Sequence, residues 1–352
     1  MKQQQPGFIL LAVFFMLTMA VILVTQIYYK AVLYNSFIPV VIQREHAKQL
    51  AQSGIALALN QLALQDQKLT PPTEKKDAQK NEQNPEMQAK QLLKVLLTVK
   101  NKWQKFSFTQ TQDGFEGELS ICITCEDGKI PLNALIDYDQ KTFKSNKSIN
   151  FDGAAFFKHL FESIVQVSGG PNFFESVTSF IKEQKFIPHE ITQLVTAKEV
   201  KLLRNQLFYI PQEEGQRQEI CLADLFTLWQ DQPTVNPLLF SAALQIIYRL
   251  NAQSLLKSVD QELIDKIIEK FSLTSANWQK DWDTFLKPIY GVSYNDLPKE
   301  LTPLFSLKFE PRVFSVLCYA KVAQVEQKLV AIIARRWHEQ EEIFEVKKIY
   351  WL

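Results

Sequence analysis

Residues 8–29 read FILLAVFFMLTMAVILVTQIYY and contain no charged side chain. As a helix rising about 1.5 Å per residue, this stretch is roughly 33 Å long, enough to cross a hydrocarbon core of about 30 Å. The expectation is therefore one membrane span, Phe8–Tyr29, with almost everything after it on one side of the membrane. A cleaved secretory signal is the rival reading. Such signals carry an apolar region of about 7–15 residues that ends in a small-x-small site. Here the run is longer, and Thr18-Met19-Ala20 is a poor match with more apolar residues behind it. The flanking charges are Lys2 before the span and Lys30, Arg44 and Lys48 after it. Cationic flanks favour the cytoplasmic side, so charge alone does not place the amino terminus inside the cell.

The helical pattern continues beyond the span. Ala47, Leu50, Ala51, Gly54, Ile55, Ala58, Leu59 and Leu62 recur at helical spacing and form one apolar stripe. Pro39 lies between the two halves and is expected to kink or briefly break the rod. Two readings follow: an anchor with an ordinary core helix behind it, or a spine that packs into a filament.

The 352 residues leave room for two or three domains of roughly 100–200 residues. With 39 basic and 38 acidic residues, there is no electrostatic footprint for nucleic acid. Gln65–Lys90 is polar, contains Pro71, Pro72 and Pro85, and reads as a linker. Met87–Trp103 reads as a helix, and Phe106–Thr109 and Phe115–Cys125 as strands. Helices are expected at 153–168, 172–185, 188–205, 222–229, 237–251, 256–272 and 276–290. Strands are expected at Ser306–Phe309, Arg312–Val325, Lys328–Trp337 and Ile343–Trp351. This order gives an α+β fold class: a long helix on an antiparallel sheet, with an all-helical subdomain (150–300) inserted between a first part (91–149) and closing strands (301–352).

Little in the chain points to catalysis. Cys122 and Cys125 form a C-x-x-C but alternate across a strand, so they point to opposite faces. Neither these two nor Cys221 and Cys318 complete a zinc ligand set. His46, His159, His189 and His338 lack metalloprotease spacing, and nucleophile-elbow, Walker and dinucleotide motifs are absent. Glu126, Asp127, Asp137, Asp139, Asp281 and Asp283 offer oxygens of the type calcium takes, but without an EF-hand pattern; solvated loop carboxylates are the better reading. Lys182, Lys185, Lys198, Lys201 and Arg204 are too scattered for a basic face. The six tryptophans, Trp103, Trp229, Trp278, Trp282, Trp337 and Trp351, read as core anchors. No catalytic residue, metal site or cofactor is assigned.

Several segments, in order along the chain, carry a resemblance. Gly7 followed by Phe8 at the start of the apolar run, after the short polar leader Met1–Gly7, resembles the signals cut by prepilin peptidase. REHAKQLAQSGIALAL (44–59) is similar to a membrane-proximal pseudopilin helix. EDGKIPLNALID (126–137) resembles an acidic-Gly-basic turn leading into Leu-Asn-x-Leu, carried by Asp127, Gly128, Lys129, Ile130, Leu132, Asn133 and Leu135. Val235-Asn236 is partly similar to an Asn-x-Asn-Thr-Ala segment, and Phe305–Arg335 to closing strands. Together they resemble the K-type minor pseudopilin of type II secretion (general secretion pathway protein K family), which is type IV pilin-like. The chain departs from that pattern at Pro131, where the family usually has Asn, and in the glycine-poor helical block.

The resemblance implies cleavage between Gly7 and Phe8, so that 1–7 is a leader and 8–64 a transmembrane and spine helix. Most pilins carry a glutamate at the fifth mature position; here that place is Ala12. The glutamate pairs with a neighbour's free amine, so the resemblance implies a tip subunit with nothing above it. It also implies an inner-membrane, single-pass protein with its soluble domain in the periplasm. The implied partners are prepilin peptidase, other minor pseudopilins and a secretion substrate, with no nucleic acid. A minor pilin of a pilus or DNA-uptake machine, a membrane-anchored enzyme and a tethered binding domain remain as alternatives.

Overall fold

The computed structural model describes residues 6–63, 85–146, 150–168, 172, 174–183, 220–250, 261–271, 274–338 and 341–351. The first helix, α1, runs unbroken from Pro6 to Ala63. Proline suits its first turn, where the missing N–H has no intrahelical partner to lose. Thr18 and Thr25 return their hydroxyls to the preceding turn, Thr18 Oγ1 donating to the Phe14 carbonyl at 2.9 Å and Thr25 Oγ1 to that of Val21. Polar groups in an apolar stretch are satisfied by the helix's own backbone in this way.

Of the two expectations at Pro39, a kink or a brief break, the break does not form: the helix continues through it. It removes the N–H that would reach the Asn35 carbonyl, in a stretch that is exposed. One helix thus passes through two environments. Its large apolar side chains from Leu10 to Ile42 are exposed, whereas Ala47, Leu50, Ala51, Ile55, Ala58 and Leu62 are buried. The buried set is the apolar stripe read from the sequence.

A second helix, α2 (Pro85–Val99), begins earlier than its periodicity suggested, with Pro85 in its first turn. Residues 85–90, expected to belong to the linker, are therefore helical; the stretch before them lies outside the described residues. Five strands form one antiparallel sheet: β1 (Trp103–Phe108), β2 (Gly117–Cys125), β3 (Val313–Val322), β4 (Val325–His338) and β5 (Glu341–Trp351). Their order in space is their order in the chain. Leu119, Ile121, Ile123 and Cys125 face α1 beside Phe314, Val316, Cys318 and Ala320. Cys122, Leu317, Tyr319, Val330 and Ile332 form a second cluster on the opposite face, packed by Trp103, Trp229 and Tyr350.

The glycine in the stripe of α1 sets how closely helix and sheet approach. A Cβ built at Gly54 would lie 2.8 Å from Cys318 Sγ and 3.2 Å from Leu119 Cδ1. Glycine weakens a helix interior by about 0.5–1 kcal/mol relative to alanine. Here that penalty is offset by dispersion contacts that a side chain would hold apart.

Residues 126–312 separate β2 from β3, yet the two strands pair from Gly117↔Val322 to Cys125↔Phe314. The intervening chain leaves the sheet and returns to it at one point. It contains helices Gly153–Ser168, Phe174–Glu183, Leu222–Leu225, Ala242–Ile247, Gln261–Phe271 and Trp278–Phe285. Two-residue strands cross-link it, with Ile130–Pro131 running parallel to Phe226–Thr227. Trp282 is fully buried, stacked 5.6 Å from Phe305, with its Nε1 donating to the Val292 carbonyl at 2.8 Å.

Other expectations shift. Ser306–Phe309 is not a strand: only a single bridge, Val235↔Phe305, forms there, and Leu307 is exposed. The expected helix 222–229 stops at Leu225 and becomes strand at Phe226. The expected helix 188–205 lies outside the described residues. Trp351 is not a core anchor; it is exposed on β5, with Lys48 Nζ 5.6 Å from its ring centre.

Candidate functional site

The sequence directs attention to two places, the exposed half of α1 and the acidic turn after β2. Gly7 and Phe8 lie in the first turn of α1, and Ala12 follows on its exposed surface. The helix is long and apolar enough to cross a membrane, with none of its most apolar window buried. Tyr28, Tyr29 and Tyr34 lie with Lys30 at the far end of the charge-free stretch, a composition suited to a membrane–water boundary. Exposed apolar side chains continue past Lys30: Val32, Leu33, Phe37, Ile38, Val40, Val41 and Ile42. The exposed stretch from Leu10 to Ile42 is roughly 50 Å long at 1.5 Å per residue, against about 30 Å of hydrocarbon. Part of this apolar surface therefore reaches beyond one bilayer thickness.

Glu126 is buried, which corrects the expectation for that residue, while Asp127 is half-buried with its carboxylate bonded to backbone N–H groups. Glu126 is 3% exposed and Lys129 likewise 3%. Their ion pair is 2.5 Å long. Lys129 Nζ also donates to the Ala223 carbonyl at 2.9 Å and to Ser315 Oγ at 3.0 Å, so all three of its hydrogens have acceptors. Ser315 in turn donates to Glu126 and lies 3.0 Å from Thr124 Oγ1. A second buried carboxylate, Asp224, accepts the Ala243 N–H at 2.8 Å through Oδ2; its Oδ1 has no hydrogen-bond partner among the described residues. Burial raises the Asp224 pKa, an effect that nearby Lys129 opposes. Burial alone would lower Lys129, but the Glu126 and Asp224 charges hold it above the ordinary lysine value.

Asp127 grips the returning chain. Its Oδ2 accepts the Arg312 N–H at 2.9 Å and the Val313 N–H at 3.5 Å, and its carbonyl accepts the Asn236 N–H at 2.6 Å. The Gly128 carbonyl accepts the Ser241 N–H at 3.1 Å. Backbone approach here is so close that a Cβ on Gly128 would lie 1.6 Å from the Leu239 oxygen. Asn236 caps the short turn Pro237–Leu239, its side chain accepting the Leu238 N–H at 3.0 Å. Asn133 accepts the Tyr138 hydroxyl at 2.7 Å and donates to the Leu228 carbonyl at 3.4 Å.

The structure thus brings Asp127 and Gly128 together with Asn236, a proximity that the pattern of similar segments did not indicate. Sequence reading missed Asp224 and Ser315 as members of this site, since each comes from a separate segment without a local signal. The turn is a joint between sheet and insert, and its chemistry is structural. Burial pushes the Cys221 and Cys318 thiols up to about 12 and raises Cys122 and Cys125 as well, so none is a ready thiolate. Asp137 accepts two turn N–H groups, Asp281 caps the Asn277 N–H at 2.7 Å, and Asp283 accepts the Tyr294 N–H. Among the described residues no group of three or more His, Cys, Asp and Glu side chains converges.

No protein-family model matches the chain, and no curated protein matches it. Among solved structures, it is similar to a chain of the GspK-GspI-GspJ complex from the enterotoxigenic Escherichia coli type 2 secretion system. Identity is 16%, the TM-score is 0.39, and the match covers 87% of this chain and 96% of that one.

Proposed function

We propose that this chain is a minor pseudopilin of K type, a structural subunit that helps to start assembly of a type II secretion pseudopilus. The observation that carries the reading is the two-part helix. α1 is apolar and uncovered along its first half, and through its second half it is the core helix of an antiparallel sheet. A surface so large and apolar needs a membrane or other helices to cover it, and a filament subunit exchanges the first for the second. Gly7–Phe8 supplies the cleavage signal, Phe8 becomes the mature terminus, and the domain lies in the periplasm on the far side of the inner membrane.

Ala12 cannot pair with the amine of a subunit above it, and an unpaired buried charge is costly. This chain therefore caps the filament, with the insert as bulk on its outer end and other minor pseudopilins below. The test is intact mass and amino-terminal sequence of the full chain made with and without prepilin peptidase. A terminus at Phe8 that depends on the peptidase is expected. A chain still starting at Met1, or cut after Ala20, would overturn the reading. In the cleaved protein, Ala12→Glu is expected to disturb its position in the assembly, and an unchanged position would remove the tip argument.

A further inference from the structure

The joint contains two buried lysines whose surroundings differ. Lys129 has three acceptors, and the Glu126 and Asp224 carboxylates beside it. Lys100, between α2 and β1, is 7% exposed, and its Nζ has one hydrogen-bond acceptor among the described residues, the Leu238 carbonyl of the insert. The next residue adds a second clasp, Asn101 Nδ2 donating to the Phe240 carbonyl at 2.9 Å. Lys100 also bridges to Ile123 of β2, so it sits where α2, the sheet and the insert meet. The insert segment packed over it, residues 235–243, reads VNPLLFSAA and contains no titratable side chain. The titratable groups that act on it are Cys125 of β2 and Lys102, and the Cys125 thiol is itself held neutral by burial.

An ammonium presents three donors and a full charge, whereas a neutral amine can satisfy a dry site with a single acceptor. We propose that Lys100 is a proton-operated latch: as the neutral amine it closes the insert onto the sheet through Leu238, and on taking up a proton it loosens that contact. Burial lowers the Lys100 pKa from 10.5 to about 7, which puts the changeover near neutral pH. The folded-state value lies below the unfolded one, so between those limits the unfolded or opened state binds more protons. Latch stability therefore rises with pH across that window and is flat below it.

The experiment uses the full chain in detergent micelles and follows amide hydrogen exchange of residues 238–241, corrected for intrinsic rates, from pH 6 to pH 9. Protection in the wild type is expected to rise close to tenfold per pH unit above about 8. In Lys100→Met it is expected to be high and independent of pH. The wild-type amide shifts of Phe240 and Ser241 supply a readout that needs no variant, and they are expected to titrate with a midpoint near 7. A midpoint above 9, or a pH dependence that survives in Lys100→Met, would overturn the latch. Cleavage at Phe8 does not enter the argument, so the latch and the pseudopilin reading stand or fall separately.

Discussion

Gly128→Ala is expected to detach the insert from the sheet at a cost of at least about 4 kcal/mol, a size that point substitutions reach only through a few mechanisms, overpacking of a closed contact among them. The added methyl would have to occupy a point 1.6 Å from the Leu239 oxygen and 2.4 Å from its carbon. These are backbone atoms held in place by the Asn236 and Ser241 N–H bonds to the turn, so no side-chain rotation makes room. Thermal melting and limited proteolysis of the full chain measure the effect, and cleavage within 220–250 at temperatures the wild type withstands is the expected signature. Gly114→Ala is the control. Gly114 has a positive φ of 77° but nothing within 4 Å of an added Cβ, and backbone strain alone costs about 1 kcal/mol there. A Gly128→Ala protein that melts like the wild type would mean that the turn does not pack against residues 236–241.

Lys129→Met is the second large effect, expected to cost about 3–5 kcal/mol at neutral pH, because removing one member of a buried ionic group strands the others. Among the described residues Glu126 would keep the Ser315 hydroxyl, and Asp224 the backbone N–H groups of Ala242 and Ala243, with no cation beside either. The sign of the pH dependence identifies the cause. Asp224 already has a raised folded-state pKa through burial, and losing Lys129 raises it further. A carboxylate with a raised folded-state value binds its proton more tightly when folded, so the variant should regain stability as pH falls toward the ordinary carboxylate value of about 4. Melting curves of variant and wild type from pH 8 to pH 4.5 should therefore converge. Parallel curves would show that the loss comes from packing of the lysine stem. Adding Asp224→Asn to Lys129→Met should recover part of the stability at neutral pH.

What the sequence disclosed and what it hid divide by range. The stripe from Ala47 to Leu62 and the alternation in β2, β3 and β4 were legible because helical and strand periodicities are local. So was the opposed orientation of Cys122 and Cys125. The turn Glu126–Lys129 was legible as a motif but not as a buried one, because its partners Ala223, Ser315 and Arg312 lie far away in the chain. Pro39 was read as a kink or a brief break because a proline removes a helical bond; the apolar sequence on both sides continues the helix past it. Ser306–Phe309 has a strand-like composition, but only one bridge, to Val235, forms there.

The doorway through which the insert enters and leaves also governs when the molecule can become whole. Each strand of a simple meander finds its neighbour a few residues away, and β3, β4 and β5 do so. β2 must wait for β3 across residues 126–312, a separation that slows pairing because a large loop closes before any contact rewards it. The helix stripe waits too, since Cys318 and Ala320 of β3 and Leu329 and Ala331 of β4 cover it. The amino-terminal part of the chain is synthesised first and, if anchored, reaches the membrane first. Its core helix has only β2 as a floor until residues 313–351 emerge. Folding of this domain is therefore timed by residues 313–351, and a chain cut short before β3 would leave α1 with an open apolar flank.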